Sequence, residues 1–229
     1  MNLLDLDFSD HIKKLRAKKI IISELSPYEQ WALKNFRNED KFRNPNLSMT
    51  LQWNITNIEK TFRQLNQPGF TAYLTWKISK AINEIPCLNY RSLINEWYLF
   101  PSVPVFIPVA TGGESRFSHI FLQDPGGLEW NDFQNEYNKQ LEEIKKGEKT
   151  QITITPEEFH YCNIIGNLPH TRFTGFHPHQ MRHLTGRLFI YLGQRYNSED
   201  QLLCPLFIGF DHANADPHII NQLMEKLSE

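Results

Sequence analysis

Apolar positions change their spacing several times along the chain, and each change marks an element. Ile58, Phe62 and Leu65 recur at helical spacing behind Thr56-Asn57-Ile58-Glu59, which has the form of a capping box, and Pro68-Gly69 ends that helix. Leu74, Ile78, Ala81 and Ile85 mark the next helix, which stops before Pro86. Upstream, Ser26-Pro27-Tyr28-Glu29 joins a cap, a proline at the first helical position and a reciprocal glutamate, and predicts a helix over 27–36. Residues 10–19 are polar and mildly helical, and 47–53 alternate as a strand does. From 90 to 123 the period falls to two, which predicts short strands at 90–94, 97–99, 105–110 and 117–122. An amphipathic helix follows over 131–146. It turns Phe133, Tyr137, Leu141 and Ile144 inward, pairs Glu142 with Lys146 outside, and is capped by Gly147. Strands are expected at 159–165, 187–192 and 202–210. A last helix opens at Asp216-Pro217 and carries Ile220, Leu223 and Leu227. With no repeat, low-complexity tract or linker, the pattern predicts a single α/β domain over 1–229, with 1–25 as an N-terminal extension.

Composition narrows the class. The 229 residues are 40% hydrophobic and 22% charged, which is globular and not disordered composition. A net charge of -2 without a basic stripe speaks against a dedicated nucleic-acid binder. Cys87, Cys162 and Cys204 are too scattered for a zinc ribbon or a disulfide framework. The start carries acids where a signal peptide needs a basic region, and the densest apolar stretch, 202–210, is too short to span a bilayer. The expectation is a soluble cytoplasmic protein with neither membrane nor nucleic acid as partner.

Candidate chemistry concentrates in Phe210-Asp211-His212-Ala213-Asn214-Ala215-Asp216-Pro217. A neutral imidazole held at a strand end is placed to act as a general base. Asp216 either orients that turn through a buried ion pair or caps the final helix, as Asp before Pro commonly does. His177-Pro178-His179, with His170 and His183 nearby, has histidines but no adjacent acidic ligand, so no metal is expected. Gly112-Gly113 and Pro125-Gly126-Gly127 lack the strand–helix setting of a phosphate loop and read as turns.

The 210–217 segment resembles the His-x-x-x-Asp-Gly motif of the chloramphenicol acetyltransferase family, and other stretches match that family in the same order. Leu47-Ser48-Met49-Thr50 resembles its early strand, and Ser102-Val103 to Phe117-Ser118 its central strands. Asn163-Ile164, Leu168-Pro169 and Phe173-Thr174-Gly175-Phe176 resemble its "NIS…LPW…FTGF" run. Leu203-Cys204-Pro205-Leu206 resembles the strand leading to the histidine. The likeness runs over about 31–227.

The resemblance implies a two-layer α/β sandwich, a mixed sheet flanked by helices, assembled as a homotrimer with active sites between subunits. It implies direct transfer from acetyl-CoA, the acyl donor, to a small hydroxylated acceptor. By the same resemblance His212 is the base and Asp216 supports it, through an N-terminal cation for which Lys34 or Arg37 is available. Four departures stand out. Pro217 replaces the motif glycine, and His170 replaces the tryptophan of "LPW". The serine of "NIS", whose hydroxyl holds the oxyanion, is absent, with Ile165 or Gly166 in its place. The coenzyme-channel stretch reads Tyr191-Leu192-Gly193-Gln194-Arg195. Gly166, Asn163, Thr174, His170 and His177 are thus the expected oxyanion and acceptor-pocket positions, and Tyr191, Gly193, Gln194 and Arg195 the coenzyme positions. Two other functions fit the residues: a weak or inactive relative that binds a hydrophobic small molecule, and a dihydrolipoyl acyltransferase-like core, which the Asp211-His212 opening resembles.

Overall fold

The structure, a computed structural model, describes residues 6–36, 45–113, 116–178 and 185–228. The N-terminal part forms α1 (Ser9–Lys14) and β1 (Lys18–Lys19). Leu6 and Phe8 bury against Leu93, Phe100, Val103 and Tyr161, and β1 pairs with the strand carrying Tyr98 and Leu99, so this part is packed onto the domain. Next comes α2 (Pro27–Asn35), entered through the capping box: Ser26 accepts from the Glu29 amide and the Glu29 carboxylate accepts from the Ser26 amide.

Then follow β2 (Asn46–Asn54), α3 (Thr56–Gln64), α4 (Phe70–Asn83), β3 (Tyr90–Leu93), β4 (Glu96–Leu99), β5 (Val105–Gly112), β6 (Arg116–Leu122) and α5 (Trp130–Lys145). The chain ends in α6 (Pro156–Tyr161), β7 (Asn163–Asn167), β8 (Phe189–Leu192), β9 (Tyr196–Ser198), β10 (Gln201–Asp211) and α7 (Pro217–Ser228).

Strands β1, β4 and β3 make a small sheet. The main sheet runs β2-β10-β8-β7-β5-β6, with β9 beside β10. Strands β5, β7 and β8 are mutually parallel and the other pairs antiparallel, so the sheet is mixed. Strand alternation sends Cys204, Leu206, Ile208 and Phe210 of β10, with Ile165, Ile190 and Leu192, into one core with Ile78, Phe133, Ile220 and Leu223 of the helices. The other face carries a separate cluster around Phe106, Cys162 and Ile164. This is the expected α/β sandwich. No helix among the described residues is long and apolar enough to cross a membrane.

Four local expectations are corrected. Residues 159–165 are not one strand: α6 occupies the first part, because Thr155, Pro156 and Glu158 form a second complete capping box ahead of it. Thr56 does not cap α3. Its hydroxyl accepts from the Leu202 amide instead, which ties the helix start to β10. Glu142 pairs with Lys145 at 2.7 Å, three residues on, rather than with Lys146. The helix expected within 10–19 ends at Lys14, and the chain there turns out to pair as β1.

His119 on β6 gives a pH test of this packing. It is 1% exposed and stacks on Phe106 at 5.2 Å, and its Nδ1 has no partner among the described residues. Burial, then Lys149, pull its pKa from 6.5 down to about 4. The unfolded chain takes up that proton first, so between these values it binds more protons than the folded one. Stability is therefore lost as pH falls from 6.5 to about 4, by roughly 3 kcal/mol from this group. Urea unfolding of His119→Gln at pH 7 and pH 4.5 should show a shallower pH dependence than the natural chain; equal slopes would refute the assignment.

Candidate active site

His212 follows the last residue of β10 and is half-buried. Its backbone amide donates to Pro45 O at 3.0 Å, and its ring stacks on Phe36, at the end of α2, with centroids 4.0 Å apart. Nδ1 lies 3.2 Å from the Ala215 carbonyl oxygen. A carbonyl oxygen can only accept, so Nδ1 carries a proton, and in the neutral ring the lone pair is on Nε2. That is the tautomer of a base.

The preceding residue, Asp211, builds the loop. It is 2% exposed, and its carboxylate accepts from the Ala213 amide at 2.8 Å and the Gly186 amide at 3.1 Å. Asn214 adds two bonds, from Nδ2 to Cys87 O at 2.7 Å and Gly186 O at 3.2 Å. The sequence reading assigned no role to Asp211, Asn214 or Phe36. An aspartate two residues before a buried amide is an Asx-turn signal that could have found the first of them.

Asp216 acts as a cap. Its Oδ1 accepts from the Ile219 amide at 3.0 Å, and Ile220 N–H donates to its backbone oxygen. The Tyr28 hydroxyl also bonds its carboxylate, and burial followed by that contact pushes the Tyr28 phenol up. Among the described residues no cation pairs with Asp216. Lys34 lies exposed on α2, and Arg37 lies outside the described residues. Asp216→Ala should therefore cost about 1 kcal/mol, the usual worth of a cap. A loss above 3 kcal/mol in urea unfolding would show a buried ion pair instead.

Between α2 and the His212 loop lies a cavity of about 200 Å³, whose lining includes Tyr28, Glu29, Leu33, Cys87, His212 and Asp216. Ligand pockets usually run to about 300–1,000 Å³, so this one takes the end of a molecule rather than a whole drug-sized one. Burial pushes the Cys87 thiol up to about 12. It stays protonated at neutral pH and is a poor nucleophile.

The remaining expected positions fall in two places. Asn163 is 1% exposed, and its Oδ1 accepts from Arg91 Nη2 at 2.5 Å and from the Leu188 amide at 2.9 Å, so that oxygen is committed to structure. The others gather at the far ends of β7 and β8. Gly166 and Tyr191 are register partners there. Ile165 points into the helix-side core, which leaves Gly166 as the residue on the opposite face. Phe173 and Phe176 stack at 5.3 Å beside Tyr191, and Thr174, His177 and His170 are exposed around them. Gly193 N–H donates to Pro205 O and Gln194 N–H to Thr171 O, so the strip after β8 is fastened to the same loop. Arg195 is exposed, its guanidinium 5.0 Å over the Phe70 ring. Among the described residues no group of three His, Cys, Asp or Glu could hold a metal; His179 and His183 lie outside them.

With this geometry described, comparison with known proteins places the fold. No family model matches the chain, and no curated protein matches it either. Among solved structures it is similar to a chloramphenicol acetyltransferase, with TM-score 0.77 and 17% identity over 92% of this chain and 97% of that one. It is also similar to the cubic core of the pyruvate dehydrogenase multienzyme complex, with TM-score 0.60 and 13% identity over 97% of this chain and 93% of that one. A third likeness is to the dihydrolipoamide acetyltransferase of Azotobacter vinelandii, solved for the role of a serine, a histidine and an asparagine in its catalytic mechanism. Its TM-score is 0.60, at 14% identity over 98% of this chain and 95% of that one. The chain has the chloramphenicol acetyltransferase-like, acyltransferase-type fold.

Proposed function

We propose that the chain is an acetyl-CoA-dependent O-acetyltransferase, with His212 as general base and sites shared between subunits of a homotrimer. The observation that carries this reading is the His212 ring, fixed by Ala215 O in the base tautomer at a strand end and lining a cavity. Nε2 takes the proton of an acceptor hydroxyl, whose oxygen attacks the thioester carbonyl carbon. The tetrahedral intermediate then breaks its C–S bond, and the imidazolium returns the proton to the departing coenzyme A thiolate. The protonated Cys87 thiol beside the cavity supports direct transfer without an acyl-enzyme.

Thr174, His170 and His177 are proposed to meet the acceptor, and Tyr191, Gly193, Gln194 and Arg195 the coenzyme, with Arg195 suited to its phosphates. Sheet geometry supports a shared site. Tyr191 pairs with Phe207, five residues before His212, which is roughly 16 Å at strand rise. A base must lie about 3 Å from the proton it takes, so Tyr191 and His212 of one chain do not both touch the reacting carbonyl. A site shared between subunits is the arrangement proposed to bring them together. The buried free thiols Cys87, Cys162 and Cys204 fit the cytoplasm as the compartment.

The test is thiol release from acetyl-CoA with chloramphenicol and a panel of small alcohols, together with thermal stabilisation by acetyl-CoA. Alcohol-dependent release is expected. Neither release nor stabilisation would replace this reading by that of a protein binding a hydrophobic small molecule without catalysis. Transfer to dihydrolipoamide in preference to alcohols would assign a dihydrolipoyl acyltransferase-like core.

A further inference from the structure

Attack of a hydroxyl on a thioester places a negative charge on the former carbonyl oxygen, and a site without a donor for it forfeits about 10²–10³ in rate. No side-chain donor can come from residue 166, which is glycine, or from Ile165, which is buried in the core. The space at 166 is nonetheless filled. A Cβ built on Gly166 would fall 2.4 Å from Tyr191 Cε1 and 2.5 Å from its Cδ1. The phenol ring lies over the Gly166 backbone, in the volume any side chain there would take. A serine at 166 and this placement of Tyr191 exclude each other.

The ring is held on its other sides too. Phe176 meets it edge-on at 5.1 Å, and Phe207, 0% exposed and its register partner on β10, lies 6.3 Å away. Burial is the sole influence on the phenol, and no residue among those described accepts from or donates to its hydroxyl. Burial moves it above its ordinary value of 10, so near neutral pH it remains an O–H donor. A ring packed on three sides, whose hydroxyl has no hydrogen-bond partner among the described residues, can serve as a donor to a developing charge.

We propose that the Tyr191 hydroxyl is the oxyanion donor of the transfer reaction, supplied by one subunit to the substrate held at His212 of the next. Gly166 is the residue that makes room for it. The proposal rests on the acetyltransferase reading above.

Two measurements test it, both by thiol release from acetyl-CoA with chloramphenicol or the most active alcohol of the panel. Tyr191→Phe keeps the ring and removes only the hydroxyl. Turnover should fall about 10²–10³-fold while KM for acetyl-CoA stays within about threefold and the melting temperature is unchanged. Full turnover in Tyr191→Phe overturns the proposal and leaves the acetyltransferase reading standing; absence of turnover in the natural chain with every alcohol overturns both. The second measurement co-expresses His212→Ala and Tyr191→Phe chains in equal amounts. Random mixing pairs an intact His212 with an intact Tyr191 at roughly one interface in four, so about a quarter of the natural rate should return. A rate no higher than that of either variant alone overturns the sharing between subunits.

Discussion

His212→Ala should lower acetyl transfer by roughly 10²–10⁴-fold, the usual worth of a positioned general base. Only the ring can do this work in the loop. Its Nδ1 is engaged with Ala215 O, which leaves Nε2 as acceptor, and the neighbouring Asp211 is committed to the Ala213 and Gly186 amides. The loop itself should survive the substitution, because the bonds that shape it come from Asp211, Asn214 and the backbone of residue 212. Lost contact with Phe36 should cost no more than about 1–2 kcal/mol, since the ring is only half-buried and leaves little cavity. Rate and melting temperature must be read together. A large fall in rate with a small fall in melting temperature assigns the base; an unchanged rate would remove His212 from the chemistry altogether.

How far the sequence leads differs between fold and site, for reasons visible in single residues. Ser26-Pro27-Tyr28-Glu29 announces α2 because a capping box is local, and every partner lies within four residues. Thr155-Pro156-Glu157-Glu158 is as complete a signal. The apolar run after it nonetheless reads as strand, although its first residues complete α6. Thr56 fails in the opposite sense. Its hydroxyl is drawn to the Leu202 amide, far away in the chain, and no local pattern shows that. At the site, position and role separate. His212 stands out as a histidine at the end of an apolar strand. Whether Ile165 or Gly166 faces the substrate side is a one-residue question, and a one-residue shift turns every side chain of a strand to the other face. The burial of Ile165 in the helix-side core answers it. The pairing of β7 with β8 lays Tyr191 over Gly166, which is the basis of the second role proposed for this coenzyme-strip residue.

Arg91→Met should cost about 3–5 kcal/mol of folding stability, the largest structural effect expected from one side chain here. Arg91 is 0% exposed, and burial pulls its guanidinium down to about 9, a measure of how unfavourable the site is for charge. What keeps it there is a set of acceptors. Nε donates to Tyr161 O at 2.6 Å, and Nη1 to Tyr90 O at 2.7 Å, Gly186 O at 2.9 Å and Leu88 O at 3.1 Å; Nη2 donates to Asn163 Oδ1. Methionine fills much of the volume but leaves these buried oxygens short of donors, and each orphaned group costs about 1–3 kcal/mol. Lysine cannot replace the fork, because a single ammonium does not reach acceptors spread over α6, β3 and β7. The effect should carry into the site. Gly186 O also accepts from Asn214, and Gly186 N–H donates to Asp211, so the residue that anchors the guanidinium anchors the His212 loop. Urea unfolding should show Arg91→Met and Arg91→Lys both well below the natural chain. Arg91→Lys should also transfer acetyl more slowly at temperatures where it is still folded. A stability loss under about 1 kcal/mol for Arg91→Met would mean that the acceptors find other donors and that the hub is not rigid.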